Sequence, residues 1–116
     1  MLVIPFLDHE IPTRSGVTFY LHRDAFIELA ESAVKEFQST GRVYRLPESP
    51  LYESADARLD LYSDVLVVEF IIDDFYLPLV YITTDNPEDV DDTCSKGGVP
   101  VDRLEPKWYV CSRDWN

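Results

Sequence analysis

Two periodicities run along this chain, and the switches between them mark out its elements. Residues 2–7 are apolar and predict a first strand, with Pro5 at an edge or an early bend. Residues 8–16 are polar, carry Pro12 and Gly16, and read as a loop. The β-branched and aromatic run at 17–21 predicts a short second strand. A 3.6-residue period then takes over, placing Phe26, Ala30, Ala33, Val34 and Phe37 on one stripe. Glu28, Glu31, Ser32, Lys35 and Glu36 fill much of the remaining surface. Asp24 stands where an N-cap is expected, and Gly41 where a left-handed C-terminal cap belongs. The pattern predicts one amphipathic helix of about four turns.

Beyond Gly41 the period drops to two. Residues 42–46 alternate like a strand, and Pro47 and Pro50 bracket a loop reaching about Ala55. Three runs follow, at 57–62, 65–72 and 75–83, separated only by Ser63-Asp64 and Asp73-Asp74. Breaks that short leave room for hairpin turns alone, so an antiparallel meander is expected. In the middle run Leu66, Val68, Phe70 and Ile72 point one way and Val65, Val67 and Ile71 the other. A strand apolar on both faces must be covered on both. The helix covers one; the carboxy-terminal segment, a second copy or a partner must cover the other. Pro78 in the third run suggests an edge or a bulge. From Thr84 the chain turns polar and irregular through Gly97-Gly98, Pro100 and Pro106, and residues 107–112 predict a last short strand. With no repeat and no linker, the reading is one α+β domain over residues 1–116, a mainly antiparallel sheet packed on one long helix.

Composition narrows the function classes. The chain has 116 residues, 46% hydrophobic and 13% aromatic, too rich in core-forming side chains for an acidic disordered tail. Its 22 acids against 10 Lys and Arg leave a net charge of −12, which argues against gripping nucleic acid or anionic membranes directly. Residues 48–92 hold thirteen acids and one base, Arg58, so the entire excess lies there. The opening residues lack the pattern of a signal peptide, and the densest apolar run is eight residues long, so a cytoplasmic location is expected, in a host's cytoplasm for a viral protein. In that compartment Cys94 and Cys111 are expected as two reduced thiols.

The candidate binding residues follow from the charge. Asp60 is expected to point outward with Arg58 and Tyr62, since Leu59 and Leu61 share the opposite face. Asp64 should lie at one end of the meander, Asp73 and Asp74 at the other, and the acidic run Asp85, Glu88, Asp89, Asp91 and Asp92 should begin near Asp64's end. Glu69 interrupts the most apolar strand. It reads either as a carboxylate with a raised pKa or partner pairing, or as an edge residue or internal pair with Arg42, Arg45 or Arg58. Trp115 is the aromatic most expected to be exposed or docked.

Catalytic chemistry is hard to assemble. His9 and His22 are the only imidazoles, no motif joins either to Cys94 or Cys111, and a zinc site would need all four to converge. The 85–92 segment lacks the spacing of a calcium-binding EF-hand loop. The residues match no family motif, and no cofactor or metal is expected. The leading expectation is a non-enzymatic acidic binding protein that inhibits or occludes a basic partner, a nucleic-acid-binding protein or nuclease. Phage inhibitors of host defence, immunity proteins and antitoxins use that physical strategy; the likeness is not one of sequence. Two other classes stay open: an assembly subunit or homodimer acting through the apolar sheet face, and a small enzyme or metal-binding sensor.

Overall fold

The stripe that begins at Phe26 folds as a helix, and the sheet packs against its apolar face. The computed structural model describes residues 14–61, 63–72, 77–94 and 102–111. Two helices open it, α1 at Arg14–Leu21 and α2 at Arg23–Thr40. Strands β1 (Tyr44–Arg45), β2 (Ser54–Leu59), β3 (Leu66–Ile71) and β4 (Leu79–Ile82) follow, then helix α3 (Pro87–Cys94), then β5 (Asp102–Glu105) and β6 (Trp108–Val110). All six strands join one antiparallel sheet in the order β1-β2-β3-β4-β6-β5, so the protein is mixed α+β. The expected strand at 2–7 lies outside the described residues.

Helix α2 buries Phe26, Ala30 and Ala33 and leans Val34 and Phe37 on the same core. Gly41 ends it with φ 68°, its amide donating to the Phe37 carbonyl at 2.7 Å. That backbone state favours glycine because it has no Cβ to clash. The N-terminal cap differs from expectation. His22 occupies the cap position without a side-chain hydrogen bond, and Asp24 lies in the first turn, where its charge opposes the helix dipole's positive end.

Residues 17–21 form part of helix α1, not a strand. Helical spacing buries Ser15, Gly16 and Phe19 on one side, and Ser15 Oγ donates to the Leu77 carbonyl at 2.6 Å. Phe19 packs tilted against Trp108, ring centroids 4.7 Å apart, and lies 6.2 Å from Phe26. The small residues let α1 approach closely, and this packing outweighs the weak strand preference of Val17 and Thr18. Phe70 of β3 sits at the centre of the same core, with ring centroids 5.1 Å from Phe26, 5.5 Å from Tyr52 and 6.1 Å from Trp108. Such pairs add about 0.5–1.5 kcal/mol each beyond area burial.

The opposite sheet face is divided. Over β3, β4 and β6, Val67, Val80, Ile82 and Tyr109 pack with Val90 and Cys94 of α3 and with Cys111. Residues 85–92, expected as an irregular acidic loop, therefore include most of a two-turn helix. Asn86 starts it, its side-chain oxygen accepting the Glu88 amide at 3.0 Å. Over β1 and β2 the same face is charged, because register sets Arg45 opposite Asp56 and Asp56 opposite Glu69. Among the described carboxy-terminal residues, 102–105 and 108–110 extend the sheet as β5 and β6. Part of the second face is thus covered from within the chain by a helix, an arrangement the sequence pattern does not reveal.

Cys94 and Cys111 are joined in a disulfide, with Cα atoms 4.4 Å apart, which corrects the expectation of two thiols. The fold brings the end of α3 beside the residue after β6, and both cysteines are fully buried. Closing a loop of this length (17 residues apart) stabilises the fold by about 3 kcal/mol in the chain-entropy account. Pro78, read as an edge or bulge, stands just before β4 in the sheet interior, and its carbonyl accepts the Cys111 amide at 3.1 Å. A proline is tolerated at the entry to a strand, where no ladder donor is lost.

Candidate functional site

Three connections meet at one end of the sheet. The β2–β3 turn is tied to the exit of β4, where Thr83 donates to the Leu66 carbonyl through its amide at 3.2 Å and its hydroxyl at 2.8 Å. The β5–β6 turn joins them: the Ile82 amide donates to the Lys107 carbonyl at 2.8 Å. The Ser63 and Thr93 hydroxyls, 2.7 Å apart, fasten α3 to the β2–β3 turn. These links gather Asp60, Asp64, Asp85, Glu88 and Asp89, together with positions 91 and 92 of α3, at that end.

Their side chains have different occupations. Asp60 is 6% exposed, not outward-facing, and its carboxylate accepts the Ser63 amide at 3.0 Å and the Ser63 hydroxyl at 3.3 Å. Strand alternation ends there because the chain is already turning: the Asp60 carbonyl accepts the Asp64 amide, and Asp64 takes φ 60°. A short polar side chain that bonds its own turn favours such a loop. Asp85 Oδ1 accepts the Lys107 amide at 2.8 Å and the Tyr109 hydroxyl at 3.2 Å, and lies 3.8 Å from Arg103. Burial pushes the Tyr109 phenol above its ordinary value, and the Asp85 charge adds to that rise. Asp64 and Glu88 are exposed, and Asp89 is half-buried.

Glu69 lies elsewhere, in the middle of the charged half-face. Arg58 Nη2 donates to its Oε2 at 3.1 Å, while Arg58 Nη1 donates to Asp56 Oδ1. Register makes the pairing: Arg58 faces Val67 and Asp56 faces Glu69, so Arg58 and Glu69 are diagonal neighbours on adjacent strands. Burial works against the Arg58 charge, but the Glu69 and Asp56 carboxylates outweigh it and raise the guanidinium pKa. Of the internal partners expected for Glu69, Arg58 is in place. Asp56, Glu69 and the lone base of the acidic stretch neutralise much of one another's charge.

Tyr62, Asp73, Asp74 and Trp115 lie outside the described residues. Sequence alternation misplaced two others: Leu59 is 46% and Leu61 93% exposed, not facing a core. Leu61 projects from the turn that Asp60 and Ser63 pin, an apolar side chain among acidic neighbours in the chain. A Cys–His nucleophile from Cys94 or Cys111 is overturned by the disulfide. Among the described residues no three His, Cys, Asp or Glu side chains group as metal ligands. An open depression of about 420 Å³ in the β1–β2 connection is lined by Glu48, Ser49, Pro50, Tyr52 and Glu53. Glu53's amide bonds the Ile71 carbonyl, which puts this depression at the opposite end of β2 from Asp64.

Together these features define a small antiparallel α+β protein with an acidic sheet end and a covalently held α3. Comparison with protein families, curated proteins and solved structures finds no match. Among the described residues no helix is long and apolar enough to cross a membrane.

Proposed function

We propose that this protein is a non-catalytic binding protein whose acidic end occludes a basic, nucleic-acid-handling partner. The observation that carries the reading is the gathering of Asp64, Glu88 and Asp89 at the junction of the β2–β3 turn and α3, within the stretch that holds the whole −12. Carboxylates held on ordered backbone offer a cationic surface the potential it meets on a phosphate backbone. They do so at little entropic cost when the frame is already fixed. Asp60 is buried and supports the frame, while Asp85 stays exposed and also anchors the β5–β6 turn through the Lys107 amide. Glu69 is likewise satisfied within the sheet.

The test is capture of partners from the source cell, or its host, on the immobilised full chain. Retention of a basic, nucleic-acid-binding protein at about 50 mM salt and its loss at about 500 mM is expected, because exposed charges are screened over that range. Replacing Asp64, Glu88 and Asp89 by Asn, Gln and Asn should weaken retention at least tenfold with unchanged thermal stability. A complex that survives both high salt and the triple variant would show that the charge is incidental.

A further inference from the structure

Helix α3 is eight residues long, and isolated helices of two turns do not persist in water. Among the described residues its hold on the sheet includes buried Val90, the Ser63–Thr93 hydroxyl contact and its last residue, Cys94. Cys111, the other half of the bond, is fixed to the sheet scaffold by its amide's hydrogen bond to the Pro78 carbonyl. The apolar side chains Val67, Val80, Ile82 and Tyr109 lie in the same cluster as Val90 and both cysteines. The larger core around Phe19, Phe26, Phe70 and Trp108 contains neither cysteine.

We propose that the Cys94–Cys111 disulfide is a redox latch: its reduction by a dithiol frees α3 from the sheet and uncovers the strip of Val67, Val80, Ile82 and Tyr109, while the α2 side of the fold stays intact. A thiolate of the dithiol attacks one sulfur, a mixed disulfide forms, and the other cysteine leaves as its thiolate. The second thiol of the reductant then resolves the mixed disulfide. The protein gains two electrons and two protons, and the dithiol becomes a disulfide. Both cysteines are fully buried, so the reductant reaches them through brief local fraying at the end of α3, and reduction then makes the opening lasting. The closed state therefore belongs to oxidising surroundings and the open one to reducing surroundings. This inference stands on a different observation from the charge-based reading, the way α3 is held, but it bears on that reading because Glu88 and Asp89 ride on α3 and part from Asp64 when the helix is freed.

Hydrogen exchange by mass spectrometry on the full chain tests it, comparing oxidised protein, protein treated with dithiothreitol, and the Cys94→Ala/Cys111→Ala variant. Reduction and the double substitution should each speed exchange in α3 about a hundredfold, the scale set by closing a loop of this length. Amides of β2 and β3 should exchange at unchanged rates, and oxidised glutathione should restore protection in the wild type. Unchanged exchange in α3 after reduction would overturn the proposal, since the helix would hold without the bond. Accelerated exchange across the whole chain would also overturn it, making the disulfide a staple of the entire fold. So would failure of the two thiols to join in oxidised glutathione. If the double variant does not fold, the reduced wild type decides.

Discussion

Tyr52 and Tyr109 bury their rings and Tyr20 half-buries its own, and their hydroxyls donate to the Pro47 carbonyl, Asp85 and the Leu104 carbonyl respectively. Burial is the largest cause raising all three phenols above the ordinary value of 10.0, with Glu105, Tyr44 and Asp85 as further contributors. The unfolded chain loses these protons first as pH rises, so their contribution is complete below about pH 10 and falls as pH climbs through the folded values. Urea unfolding between about pH 8 and pH 11 should show that loss, and the slope should flatten in a variant with all three as Phe. An unchanged slope in that variant would remove the tyrosines from the account. Legibility at this scale depended on register. An internal ion pair for Glu69 was readable as a class, but Arg58 is selected over Arg42 and Arg45 only by strand pairing. Asp60 was misread because alternation continues only while the strand does, and its carboxylate is consumed by the turn that ends it.

Among the elements, α2 was legible because three independent signals agree: a sustained apolar stripe, a polar opposite face, and Gly41 at the stop. Building a Cβ on Gly41 meets nothing within 4 Å, so any cost of substitution there comes from its φ of 68°. Gly41→Ala is accordingly expected to cost about 1–2 kcal/mol. A lowered urea midpoint with unchanged m-value would show it, and an unchanged midpoint would mean the helix end relaxes freely. Helix α1 was illegible because its eight residues are too few to establish a period, and its conformation is decided by contacts with Leu77 and Trp108 far along the chain. Helix α3 was hidden by its composition, four acids interrupted by Val90 between Pro87 and Thr93-Cys94, which reads equally as a solvated loop. Strand β5, between prolines and carrying a register shift at Arg103/Glu105, exists because β6 offers it a partner.

At the scale of the whole molecule, the charge of −12 has two consequences that differ in reach. Close pairs such as Arg58 with Glu69 are settled locally and respond little to salt. The remaining excess acts through solvent as mutual repulsion, which destabilises the compact state. Raising salt from about 20 to about 200 mM should therefore raise the melting temperature by about 4 °C or more, the shift that roughly 1 kcal/mol brings in a domain of this size. A flat or falling melting temperature would show that local pairing already balances the charge. The α+β class was readable from the chain because periods survive in the fold. The site was readable only as a segment, since which carboxylates reach solvent depends on turns that bring residues 60–64, 83–94 and 105–107 together.

The fastening of α1 to strands near the other end of the sequence bears on how the chain is made. Ser15 waits for Leu77, 62 residues later, and Tyr20 for Leu104, 84 residues later. With synthesis at about 5–20 residues per second, roughly 4 to 17 s separate Tyr20's emergence from its partner's. Phe19, whose partner Trp108 comes later still, faces the ribosome exit and its chaperones uncovered for at least that interval, so the nascent chain is exposed to aggregation before its sheet is complete.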